Sequence, residues 1–146
     1  MTTVDRRTAR HRTAQLTAAP AAVPQARRLL TEALADWGVA PGTDLAYDLR
    51  LIVSELAAVS VRNADRLSPT LTLTMVLGDG HIGVGVHDAD PRPPAKHCDG
   101  LGVVHEVVAE AHGIAEVQTT EDGGMTMWVV LPLTTAGPPP GRSEDG

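Results

Sequence analysis

The stretch that decides the fold is LIVSELAAVSVRNAD, residues 51–65, in which aliphatic side chains recur at helical spacing around one carboxylate, that of Glu55. The periodicity begins near residue 44, because the apolar residues 45, 49, 52 and 56 share one helix face with Ser60. A polar residue at 43 or 44 is placed to cap this helix, which we expect to end at residue 63 or 65. Glu55 lies at the rim of the apolar face, and which group it contacts depends on the elements that pack beside this helix.

The remaining pattern predicts two further helices and five strands. The sequence from 22 onwards has helical periodicity until Gly38, a natural helix stop, and a glycine-led helix is expected from about 101 to 111. A short edge strand is expected at 12–19, and alternating residues predict a hairpin from 70–77 and 81–88 around the turn GDG. A second hairpin is expected from IAEVQTT and MTMWVVLPL around EDGG.

This order predicts an α+β fold, a two-layer sandwich with a mixed, mostly antiparallel sheet and helices on one face. At 146 residues the chain fits one domain. We place that domain at 12–134, between a disordered basic tail at 1–11 and a disordered Pro/Gly-rich tail at 135–146.

Composition limits the partners. A formal net charge of -6 argues against direct nucleic-acid binding, which depends on clustered basic residues. No apolar run is long enough to cross a bilayer, and the arginine-rich start lacks the apolar centre of a signal peptide. A single cysteine, Cys98, forms no internal disulfide, so we expect a cytoplasmic protein without a membrane partner.

Four ordered motifs resemble those of one family: LIVSELAAVSVRNA, VGVHDADPRPP, DGLGVVHEVVAEAHGI and DGGMTMWVVLPL. Their order and spacing resemble the Bergerat-type (histidine-kinase-like) ATP-binding fold, and more narrowly the anti-sigma-factor serine kinases of the actinobacterial type. The resemblance covers nearly all of residues 16–133. It implies a Bergerat fold, ATP as cofactor, a sigma factor or its antagonist as partner, and a homodimer.

The first motif implies a catalytic role for Glu55 as a general base or a residue that orients water. The family has an asparagine four residues later, which ligates Mg²⁺, whereas this chain has Val59. Valine offers no oxygen to Mg²⁺. Asn63 lies about 12 Å along the helix and about 80° around it from Glu55, too far for both to reach one ion. We therefore assign no metal ligand, and Mg²⁺ binding in its usual form is not expected.

The second motif implies that Asp88 accepts the exocyclic amine of adenine. Asp90, followed by proline, resembles the sequence of some relatives and is assigned to the cofactor as well. A purely structural alternative exists, because the sequence DADP also suits the turn that ends a strand.

The third motif implies a phosphate cradle built from Gly100, Leu101 and Gly102 at a helix N-terminus. Cys98 stands where the family has its first glycine, so a side chain crowds the phosphate path. The same DGLG sequence also suits an ordinary helix start.

Lys96 and Thr126 complete the expected cofactor contacts. Lys96 is the only lysine and lies in the loop where phosphate charge needs neutralising, although a solvated loop lysine is the simpler interpretation. Thr126 belongs to the fourth motif. His97, Cys98 and His105 are close in sequence but lack the paired spacing of a zinc site.

The sequence is compatible with two functions. One is a regulatory ATP-binding protein with serine/threonine kinase chemistry weakened by Val59. The alternative is a degenerate, non-catalytic module that sequesters a regulator without using ATP. For Glu55, a solvated carboxylate at the rim of its helix is the structural alternative.

Overall fold

The computed structural model of the chain describes residues 10–63, 69–89, 101–121 and 124–133. The element order is the one that the sequence predicts. Residues 1–9 of the predicted N-terminal tail, the proline-rich loop at 91–94 and the tail at 135–146 lie outside the described residues. The elements are β1 (Arg10–Thr17), α1 (Ala22–Asp36), α2 (Asp44–Asn63), β2 (Thr70–Leu77), β3 (His81–Asp88), α3 (Leu101–Glu110), β4 (Ile114–Thr119) and β5 (Met125–Pro132).

The strands form one open sheet in the order β1-β2-β3-β5-β4. All four pairings between the described strands are antiparallel. The sequence predicted a mixed, mostly antiparallel sheet, and the mixed part of that prediction is wrong. The reason is the position of β5. After the crossover through α3, β4 runs parallel to β3. The two strands do not pair, because β5 lies between them and is antiparallel to both.

The three described helices cover one face of this sheet, which confirms the predicted two-layer α+β arrangement. In β2 and β5 every second side chain is buried, because alternate residues of a strand point to opposite faces. In β3 all of residues 82–86 are buried, since Gly83 and Gly85 lie against the Trp128 ring on the second face. The buried side chains meet α2, which packs against α1, α3 and β3. The core between the layers is almost entirely aliphatic and contains no aromatic side chain among the described residues.

Hydrogen bonds define the C-terminal end of α1 and the N-terminal end of α2. Gly38 adopts a positive φ of 84°, and the amide of Val39 donates to the carbonyl of Leu34 at 2.8 Å, which closes α1 as predicted. Thr43 Oγ1 accepts a hydrogen bond from the amide of Ala46 at 3.2 Å, so Thr43 caps α2.

The first strand begins earlier than expected. Arg10 pairs with Leu77, so β1 matches the whole length of β2 and includes two residues that the sequence assigned to the tail. In the described part of the chain, no helix is long and apolar enough to cross a membrane.

The second face of the sheet is lined by threonine, glycine and histidine, together with Trp128. Gly85 pairs with Trp128, and a Cβ on Gly85 would overlap the indole ring. The two residues therefore form one packing unit, in which the glycine provides the space that the ring occupies. The sequence analysis did not predict this aromatic contact.

Candidate functional site

Asp88 is the last residue of β3 and faces the helices. Ile82, Val84 and Val86 are buried on that side, and Asp88 continues the same alternation two residues later. Its strand partner on that face is Met125. The apolar stripe of β3 thus ends in a half-buried carboxylate at the junction between the sheet and α2.

A hydroxyl on α2 holds this carboxylate. Ser60 Oγ donates a hydrogen bond to Asp88 Oδ2 at 2.9 Å, and Ser60 is only 1% exposed. Hydrogen bonds to a charged acceptor are about twice as strong as neutral ones. This contact joins the first motif on α2 to the second motif at the end of β3, although the two residues are 28 positions apart in the sequence.

Ser60 was not among the predicted site residues, but its sequence signal was visible. It shares the helix face of Leu49, Ile52 and Leu56, where a hydroxyl needs a partner because burial without a hydrogen bond is costly. A serine on an otherwise apolar helix face therefore indicates a polar group on the layer that packs against it. Asp88 is that group.

Val59 is fully buried, with 0% of its surface exposed, and belongs to the aliphatic core. It contributes no oxygen, so its side chain offers no metal ligand at this position of α2. Asn63 is the last residue of α2, at one of the two predicted helix ends, and its side chain lies outside what the structure describes.

Glu55 is half-buried on α2 and makes no hydrogen bond or ion pair with the described residues. It precedes Ser60 by five residues, which corresponds to about 7.5 Å along the helix axis and about 140° around it. Glu55 and Ser60 therefore point to different sides of α2. No described contact brings Glu55 to Asp88.

Thr126 lies on the opposite face of the sheet from Asp88. It pairs with His87, and His87 Nδ1 is 3.1 Å from Thr126 Oγ1. Both side chains belong to the face without helices, because neighbouring residues of a strand point to opposite sides. The structure therefore brings Met125, not Thr126, next to Asp88 on the helix-covered face.

Gly124 lies just before β5, where the backbone approaches the end of β3 closely. A Cβ on Gly124 would overlap the carbonyl oxygen of Asp88 and lie 2.8 Å from His87 Cε1. Only glycine allows the start of β5 to approach the end of β3 this closely. The sequence indicated a turn here, but the close approach depends on tertiary packing and was not predicted.

The expected phosphate cradle is described only in part. Leu101 is the first residue of α3 and is half-buried, whereas Gly102 is exposed and a Cβ there would meet nothing within 4 Å. Close backbone approach to another described group is therefore not the reason for glycine at 102. Asp90, Lys96 and Gly100 lie outside the described residues, as does Cys98.

One carboxyl in the described part has a shifted pKa. Burial raises the pKa of Asp48 on α2, and the nearby carboxylates of Asp44 and Glu110 raise it further. These residues lie between α2 and α3, away from Asp88. Within the described ranges, no group of three or more His, Cys, Asp or Glu residues is arranged to hold a metal ion.

Comparison with known proteins adds no assignment. No protein-family model matches the chain, and no curated protein has significant sequence similarity to it.

Proposed function

We propose that the chain is a regulatory protein of the Bergerat type that recognises the adenine base of a nucleotide through Asp88. In this proposal it acts by binding a sigma factor or its antagonist, and its kinase chemistry is weakened. The observation that supports it most directly is the partly buried hydrogen bond from Ser60 to Asp88 at the end of β3.

The anchored carboxylate suits an adenine base. An ionised carboxylate has about four acceptor positions, so one carboxylate can accept from Ser60 and from further donors at the same time. The exocyclic amine of adenine is a donor, whereas guanine presents a carbonyl oxygen at the corresponding position and would be repelled. Asp88 would therefore bind and orient adenine, with Ser60 fixing the direction of the carboxylate.

The residues present do not suit Mg²⁺ on α2. Val59 is buried and has no oxygen, so we derive no phosphoryl-transfer step through a metal at this helix. Phosphoryl transfer relies mainly on positioning and on metal charge. Glu55 is the proposed catalytic residue, and we expect its contribution to be small without that charge.

A thermal-shift titration tests adenine recognition. A nucleotide that binds only the folded state raises the free energy of unfolding by about 2.7 kcal/mol at a concentration of 100 times Kd. We expect ATP and ADP to raise the Tm, GTP to have no effect, and Asp88→Asn to abolish the response. Asp79→Asn is the matched control, because Asp79 is exposed in the turn between β2 and β3. Equal responses in the two variants would contradict the role of Asp88.

The second candidate is a binding module that sequesters a regulator without ATP. Two observations favour it: Val59 serves the core, and the apolar Met125 is the strand neighbour of Asp88. This candidate expects no response to any nucleotide in the titration above. It also expects the partner to bind equally well with and without ATP.

Restoring an oxygen at position 59 separates the candidates further. Val59→Asn places an amide where the family has its ligand, and Val59→Ala controls for the loss of packing. Because both variants destabilise a core position, the nucleotide-induced shift in Tm is compared within each variant. The proposal expects a nucleotide-induced shift in Tm that increases with Mg²⁺ only in Val59→Asn. If neither variant shows any nucleotide-induced shift in Tm, the binding module is supported.

A further inference from the structure

The strand β4 leaves one side of the sheet open. It pairs only with β5 among the described strands and forms the edge opposite to β1. Five of its six residues are exposed, including Ile114 at 65% and Val117 at 50%. Backbone groups on the outer side of an edge strand are available to pair with another strand.

An apolar cavity lies beside this edge, between α3 and β4. Its volume is about 50 Å³, and its lining includes Leu101, Val104 and His105 from α3, Ala115 and Val117 from β4, and Leu56 from α2. Ligand pockets usually measure about 300–1,000 Å³, so this cavity is too small for a nucleotide or other cofactor. A single small aliphatic side chain matches both its size and its apolar lining.

The chain from α3 to β5 has charge of one sign. Between residues 101 and 133 the sequence contains Glu106, Glu110, Glu116, Glu121 and Asp122, and no lysine or arginine. Glu116 lies on β4 itself, with its side chain exposed on the sheet face that has no helices. A segment approaching this edge would meet negative charge, which favours a basic partner and disfavours an acidic one.

We propose that β4 binds an extended, positively charged segment of a partner protein by strand addition. The segment would place a basic side chain beside Glu116 and a small aliphatic side chain beside Val117, over the cavity. This alternation follows from the pleat, because Glu116 and Val117 point to opposite faces of the sheet. The proposal deepens the protein-binding part of the proposed function and does not depend on nucleotide binding.

A defined peptide tests the surface. The probe is a fluorescent peptide in which lysine alternates with valine, and its binding to the full chain is followed by fluorescence anisotropy. We expect saturable binding that Glu116→Lys weakens by at least about tenfold. Glu32→Lys is the matched control, because Glu32 is exposed on α1 and the charge change is identical. Circular dichroism and urea unfolding establish that both variants fold.

A second probe distinguishes strand addition from general attraction of charge. The same peptide with N-methyl groups on alternate amides keeps its charge but loses the donors that pair with an edge strand. We expect it to bind much more weakly than the unmodified peptide.

Three outcomes would overturn the proposal: no binding of the basic peptide, equal losses in the two charge variants, or equal binding of the methylated probe. Sedimentation adds a fourth, since self-association that is lost in Glu116→Lys would mean that a second copy occupies the edge. Because Glu116 lies two strands away from β3 and points to the opposite face of the sheet from Asp88, Glu116→Lys should keep the nucleotide response of wild type. Failure at this surface is thereby distinguishable from failure of adenine recognition.

Discussion

Removing the hydroxyl of Ser60 is the most direct test of the structure around Asp88. The hydroxyl donates to Asp88 Oδ2 at 2.9 Å and is almost completely shielded from solvent. A hydrogen bond to a charged group contributes about 1.5–3 kcal/mol. Asp88 is half-buried, so water can partly replace the lost donor, and we expect the lower half of that range for the bond itself.

Helix propensity offsets part of this cost. Alanine is more favourable than serine inside a helix by about 0.5 kcal/mol. Ser60→Ala should therefore lower the free energy of unfolding by about 1–2 kcal/mol, measured by urea denaturation with linear extrapolation.

Ser54→Ala is the matched control in the same helix. Ser54 is also buried, but its hydroxyl donates to the carbonyl of Arg50 one turn earlier and accepts from the exposed Arg27. The bond to Arg50 is local and contributes little to helix stability, and the bond from Arg27 on α1 comes from an exposed side chain that water can solvate when the hydroxyl is removed. We expect Ser54→Ala to be near neutral, so the difference between the two variants isolates the contact with Asp88.

A double-mutant cycle with Asp88→Ala identifies the partner. If the carboxylate is the acceptor, Ser60→Ala should cost about 1 kcal/mol less in the Asp88→Ala background than in wild type. A cost that is the same in both backgrounds, or equal to that of Ser54→Ala, would refute the reasoning.

Two further variants test other contacts. Gly85→Ala should cost about 1–3 kcal/mol in urea denaturation, because the new methyl group overlaps the Trp128 ring; the cost should disappear when Trp128 is also replaced by alanine. Asp48→Asn should be more stable than wild type at pH 7, because burial and the carboxylates of Asp44 and Glu110 raise the pKa of Asp48 and ionising it destabilises the fold. The extra stability of Asp48→Asn over wild type should shrink as the pH falls through the raised pKa and vanish below the ordinary aspartate pKa. Urea denaturation midpoints across that pH range measure it. If the ionised carboxylate were stabilising, Asp48→Asn would instead be less stable than wild type at pH 7.

The sequence predicts the elements well because their signals are local. Alternation in β2, β3 and β5 and the positive φ of Gly38 depend on neighbouring residues alone. Strand order is different: whether β4 or β5 lies next to β3 depends on which strand buries more apolar surface beneath α2 and α3. In β5 alternate residues are fully buried, whereas β4 is almost wholly exposed, and β5 takes the inner position.

The candidate site shows the same limit. Motif order indicated Asp88 and its neighbourhood, but the face that each residue occupies follows from register, and a shift of one residue reverses it. Thr126 therefore lies with His87 on the far face, while Met125 lies beside Asp88. Ser60 was predictable in principle as a buried hydroxyl, yet its partner became identifiable only once α2 was packed on β3.

Val59 and Ser60 are adjacent on α2 and point about 100° apart, so metal ligation and base recognition can be separated in this helix. A buried hydroxyl and a half-buried carboxylate that served only packing would be replaceable by apolar groups at little or no cost, because removing both partners leaves no unsatisfied group. The presence of this polar pair at the end of an aliphatic stripe therefore favours a site that binds a polar ligand. Val59 offers no oxygen to Mg²⁺, which is why we propose no metal contact at this position of α2. The polar pair and Val59 are the two observations on which we propose adenine recognition without efficient phosphoryl transfer. The titration with Asp88→Asn tests adenine recognition independently of phosphoryl transfer.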